Sequence, residues 1–134
     1  MEFSGHPGGG ILKMMIRFIQ GRARSFACAF KGIGLMFGAG ANMRIHFCAA
    51  LAAIGAGFYF KISPIEWCLI TLCCVMVIAT EGLNTALERL ADRVHPEQHP
   101  EIGKAKDLAA GATLIVAIGA AIVGLIIFGR YILP

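Results

Sequence analysis

The stretch LAAGATLIVAIGAAIVGLIIFG, Leu108 to Gly129, runs for 22 residues without a charge. At about 1.5 Å per residue, a helix of that length spans roughly 33 Å, enough to cross the ~30 Å hydrocarbon core of a bilayer. Working outward, Trp67 to Thr80 is a second uncharged run, and its helical pattern continues through Glu81 toward Asp92. Ile45 to Phe60 is a third, flanked by Arg44 and Lys61, whose long side chains can snorkel to the interface. Ser63-Pro64 reads as a turn that starts the next helix. The reading is an all-α integral membrane protein with spans at about 43–61, 64–92 and 106–130.

Composition agrees. Hydrophobic residues make up 57% of the 134 and charged residues 15%, with mean hydropathy +0.74, too little polar surface to cover a water-soluble sphere. The same figures exclude intrinsic disorder, and the length favours one compact unit. The five cysteines, at 28, 48, 68, 73 and 74, lie in apolar runs without C-x-x-C spacing and read as reduced small hydrophobes rather than a zinc site. A formal charge of +4, without a basic face interleaved with aromatics, argues against nucleic acid as a partner.

Before the first span, Lys13, Arg17, Gln20 and Arg24 recur at helical spacing, and Lys31 continues the row. Leu12, Ile16, Ile19, Phe26 and Phe30 occupy the other side. This is an amphipathic surface helix over about 11–31, with cations toward anionic headgroups. Residues 1–10, rich in glycine, read as a flexible tail, and Gly32, Gly34, Gly38 and Gly40 as the break before the membrane. Of the 12 Lys and Arg, six precede the first span and four lie between the second and third, leaving Lys61 and Arg130 for the other side. The positive-inside rule then places the N-terminus in the cytoplasm and the C-terminus outside.

Chemistry concentrates after the second apolar run. At 100° per residue, Glu81, Glu88 and Asp92 fall within about 40° of one another, and Asn84 lies about 60° to the side of Glu81. Past a loop with Glu97 and His99 come Lys104, Lys106 and Asp107. Carboxylates and ammonium groups at one membrane surface suit phosphoryl transfer. A divalent cation takes oxygen ligands, a lysine adds charge against polyphosphate, and a carboxylate at the apolar boundary can act as a general base. For each group alone, simple ion pairing at the membrane edge is an equal alternative. For Glu81, which follows 14 uncharged residues, it is a weaker one.

The run Glu81-Gly-Leu-Asn84-Thr-Ala-Leu-Glu88, with Asp92, His99 and Lys104-Ala-Lys106-Asp107-Leu-Ala-Ala-Gly111, resembles the bacterial diacylglycerol kinase family of small membrane lipid kinases. The resemblance spans roughly Ser25 to Phe128 and includes Asn42-x-Arg-Ile-His46. Details of the third span look like the branch that includes undecaprenol kinases. The resemblance implies a homotrimer in the bacterial inner membrane that uses ATP and Mg²⁺. It further implies Glu81 as catalytic base, Glu88 as ligand of the metal and ATP, and Glu97, His99, Lys106 and Asp107 as ATP contacts. Asn84 and Asp92 match supporting positions. The sequence departs from the family two residues before Asn42, where a second metal-binding glutamate is usual and Gly40 stands. It departs again at Gly21, where the usual arginine is displaced to Arg22.

The implied reaction converts diacylglycerol to phosphatidic acid, with undecaprenol as the alternative acceptor. A proton-coupled transporter built on Glu81 leaves Asn84, Lys106 and Asp107 without a role. A non-catalytic relative of the kinase is supported by Gly40 alone.

Overall fold

A computed structural model describes residues 8–97 and 99–133, and every described element is an α-helix. The order is α1 (Gly8–Met36), α2 (Ala41–Phe60), α3 (Pro64–Val94) and α4 (Pro100–Ile132). The last three are each long and apolar enough to cross a membrane. The expected all-α arrangement of one N-terminal helix and three spans is therefore the observed one.

The chain divides into two units, Met1–Gly38 and Ala39–Pro134. In the first, α1 begins at Gly8, so part of the expected tail is helical, and the rest of it, residues 1–7, lies outside the described residues. It also continues through Gly32 and Gly34 to Met36, beyond the expected end at 31. Isolated glycines cost a helix only about 1 kcal/mol each, too little to stop one with apolar neighbours on either side. Along α1 the Arg22 guanidinium sits 5.6 Å over the Phe18 ring.

In the second unit, short connectors force α2, α3 and α4 to run antiparallel in turn, and α3 packs against both neighbours. The α2–α3 corner is locally determined. Lys61, at φ 52°, takes the left-handed conformation that ends α2. The amides of Lys61 and Ile62 donate to the carbonyls of Phe58 and Gly57 at 3.3 and 3.2 Å, a Schellman pattern. Ser63 then caps α3 with a full capping box: its amide donates to Glu66 Oε2 at 2.8 Å, and the Glu66 amide donates to Ser63 Oγ at 3.3 Å. Pro64 supplies the pre-set φ of the first turn.

This corner also anchors α4. Glu66 is buried and accepts from Arg130 Nη1 at 3.2 Å and Tyr131 Oη at 2.9 Å. A small apolar core of Ile62, Ile70 and Ile127, with Trp67, Phe60 and Phe128 packed around it, fills the same end. Gly57 is required here: a Cβ would lie 2.8 Å from Trp67 Cη2 and 3.1 Å from Ile62 Cδ1.

With all three helices tied together at one end, their unequal lengths show at the other. At ~1.5 Å per residue, α2 measures about 30 Å, whereas α3 and α4 run to roughly 46 and 50 Å. The longer pair therefore projects past a ~30 Å hydrocarbon layer. α4 begins at Pro100, earlier than the expected 106, because Pro100 fits the first helical turn and His99 caps it by accepting from the Glu101 amide at 3.3 Å. Large apolar side chains such as Leu108, Ile115 and Leu125 remain outside, as a lipid-facing surface requires.

Candidate active site

Helical geometry alone places Glu81, Asn84, Glu88 and Asp92 along one side of α3, and packing then gives each a different environment. Glu81 is 5% exposed and Asn84 6%. Glu88 is half-buried, and the Asp92 side chain is 69% exposed. Glu81 stands 17 residues beyond Pro64, about 26 Å up the helix, which puts it close to the far edge of the hydrocarbon layer. The row therefore runs from a dry position to a wet one within three turns.

Two contacts organise it. Asn84 Nδ2 donates to Glu88 Oε1 at 3.3 Å, one turn along the same helix. Lys106 Nζ pairs with Asp92 Oδ1 at 2.8 Å, joining α3 to α4 across the connector. Beside that pair, a cavity of about 430 Å³ is lined by Asp92, His95, Glu97, His99 and Lys106 together with Pro96, Pro100 and Gly103. The His95 and His99 rings lie 5.5 Å apart in it. Their imidazoles, a lysine and two carboxylates make a polar, water-facing pocket of the size of a nucleotide fragment.

Of the residues singled out from sequence, Asp92, Glu97, His99 and Lys106 thus share one cavity. Glu81, Asn84 and Glu88 lie deeper along α3 and do not line it. Asp107 is exposed and outside it, because its neighbour Lys106 faces α3 and adjacent helical residues diverge by 100°. Lys104 pairs with Glu101 at 2.7 Å instead. His95 lines the same cavity, although no motif in the sequence singles it out. The signal available is its spacing, four residues before His99 across Pro96, but the connector's fold brings the rings together.

The resemblance implies a divalent cation bound with ATP, and two side chains of α3 bear on it. The buried Asn84 Oδ1 has no hydrogen-bond partner, and Glu88 bears a carboxylate one turn away. Uncharged and anionic oxygens of this kind are what Mg²⁺ takes, with water and phosphate oxygens completing its shell. Among the described residues no three His, Cys, Asp or Glu side chains cluster as a protein-only metal site. These donors would fit a cation that takes the rest of its shell from phosphate oxygens and water.

Gly40 has φ 143° and ψ −175° at the N-terminus of α2, a conformation essentially reserved for glycine. In this chain the position where the resembling family usually carries a carboxylate therefore has a backbone that favours glycine.

A second cavity, of about 830 Å³, is an apolar groove between α2, α3 and α4, lined by alanines of α2 and α4 such as Ala49, Ala53 and Ala121. His46 of α2 is the ionisable side chain apart from two thiols in that lining.

Comparisons with known proteins bear on the family. A family model described as prokaryotic diacylglycerol kinase matches residues 27–128. The chain is 38% identical over 105 residues to undecaprenol kinase of Bacillus subtilis, an alignment covering 78% of this chain and 85% of that protein. It is 39% identical over 101 residues to diacylglycerol kinase of Synechocystis, covering 75% of this chain but 58% of the relative. Against diacylglycerol kinase of Escherichia coli K12, identity is 34% over 74 residues, covering 55% and 61%. Three helices long and apolar enough to cross a membrane and a family-model match over most of the length place the chain in the prokaryotic diacylglycerol kinase family of membrane lipid kinases.

Proposed function

We propose that the protein transfers the γ-phosphoryl group of ATP to the hydroxyl of a membrane lipid, with diacylglycerol as acceptor and phosphatidic acid as product. The observation that carries this reading is the burial gradient along α3, from Glu81 at the apolar edge to the Asp92–Lys106 pair beside the polar cavity. A lipid hydroxyl approaches from the first environment and a nucleotide from the second. In this reading a Glu81 carboxylate oxygen takes the hydroxyl proton. The lipid oxygen bonds to the γ-phosphorus, and the bond from that phosphorus to the ADP oxygen breaks. Lys106 adds positive charge against the polyphosphate, while Glu97 and His99 orient the nucleotide and Asp107 contacts it from the outer side. Glu88, with Asn84, would hold Mg²⁺, which when bound neutralises phosphate charge.

A second acceptor, undecaprenol, is favoured by one observation: the alignment with the Bacillus subtilis undecaprenol kinase covers 85% of that relative. ATP consumption by the purified protein, measured in mixed micelles with each alcohol in turn, decides between them. Phosphorylated diacylglycerol at the higher kcat/KM supports the first reading and phosphorylated undecaprenol the second. No turnover with either, in protein that retains its helix content, overturns the kinase reading.

We further infer a homotrimer in the inner membrane with the N-terminus in the cytoplasm. Arg89, Arg93, Lys104 and Lys106 at the Glu81 end of the helices, against Lys61 and Arg130 at the other, support that orientation.

A further inference from the structure

His46 is left without a role by the reaction outlined above, although the motif Asn42-x-Arg-Ile-His46 contains it. Its place follows from the register of α2 against α3. At the closed corner, Gly57 lies against Trp67. Further from the corner, one turn along α2 and two along α3, Ala53 and Cys74 both pack on the Ile62–Ile70–Ile127 core. The next turn gives Ala50 and Val77, both buried and both lining the apolar groove. Because the helices are antiparallel, one further turn back along α2 reaches His46 as one further turn forward along α3 reaches Glu81.

His46 is half-buried and lines the groove at this end, and Glu81 is buried. Among the described residues, His46 of α2 and Glu88 of its own helix are ionisable groups that interact electrostatically with Glu81. Among the described residues, side-chain hydrogen bonds along this face join Asn84 to Glu88 and Lys106 to Asp92, and none holds Glu81. A general base must present one oxygen to its substrate, and a carboxylate without a partner rotates freely about its last bond. An imidazole across the interhelical gap supplies a direction.

We propose that His46 is the positioning residue for Glu81, its ring facing the carboxylate across α2 and α3 so that one oxygen is held toward the lipid hydroxyl. This rests on the kinase reading for its consequence but not for the pairing. Proton and phosphoryl balance are unchanged, since the imidazole neither gains nor loses a proton in the step.

The test uses the full-length protein in lipid micelles. His46→Ala is expected to lower kcat at least about tenfold, the scale of a positioned acid–base partner, with KM for ATP within about twofold of wild type. His46→Gln, which keeps a donor, restores part of kcat. The double variant His46→Ala/Glu81→Gln is no slower than Glu81→Gln alone, as expected for residues acting as a unit. Independently of turnover, the ring ¹H–¹⁵N signals of ¹⁵N-histidine-labelled protein at fixed pH shift for His46 on Glu81→Gln and stay in place on Glu97→Gln. Unshifted His46 signals overturn the pairing. Shifted signals with unchanged kcat in His46→Ala overturn the positioning role, and wild-type protein inert toward every lipid alcohol with shifted signals overturns the kinase reading alone. If His46→Ala does not fold, His46→Gln decides by the same kcat-against-KM comparison.

Discussion

Replacing Glu81 by Gln keeps the volume and the burial of the side chain but removes its capacity to take a proton. Phosphorylation should therefore fall by at least about a hundredfold, while circular dichroism and nucleotide binding match wild type. A variant that turns over normally would remove Glu81 from the reaction. Gly40 makes the opposite point about residue-level reading. From the sequence alone, Gly40→Glu looks like the restoration of a missing carboxylate ligand. With φ at 143°, any side chain there is strained by roughly 1–3 kcal/mol. Gly40→Glu and Gly40→Ala should therefore lower the denaturation midpoint alike, without reducing the Mg²⁺ needed for half-maximal rate. The φ of one glycine is invisible in a one-dimensional string, whereas the row Glu81, Asn84, Glu88 and Asp92 was legible because it depends only on 3.6 residues per turn.

Within the elements, what could be read in advance was whatever is local. The Ser63-Pro64 start of α3 is set by a capping box four residues long, and the apolar length of α4 is a property of its own composition. The Asp92–Lys106 pair was not legible, since it exists only because α3 and α4 dock with a five-residue connector between them. Helix ends are hard to read for a related reason: the glycines of α1 suggest a break that the helix does not make, and the His99 cap that starts α4 early lies in a stretch whose sequence suggests a loop. The corner between α2 and α3 offers a direct test. Gly57→Ala would push a methyl group to 2.8 Å from Trp67, and overpacking of this kind costs about 1–3 kcal/mol. Thermal unfolding in detergent should show that loss, and Gly55→Ala, whose added Cβ meets nothing within 4 Å, should not show it.

For the molecule as a whole, orientation is the prediction on which compartment depends. A reporter fused after the last residue should read outside, and one inserted near Glu97 should read inside, where ATP is. The reverse pattern would place the polar cavity on the wrong side of the membrane. The gradient along α3 carries one more consequence, a kinetic one. Two substrates that meet at a dry–wet boundary do not share a common volume: the nucleotide is counted per litre of water, the lipid alcohol per unit area of bilayer. Diluting the alcohol with inert lipid, at constant total alcohol and constant ATP, should slow the enzyme in proportion once its two-dimensional density falls below saturation. Adding water to the same vesicles, with ATP held fixed, should leave the rate per enzyme unchanged. To such a catalyst, the breadth of the membrane around it is a concentration.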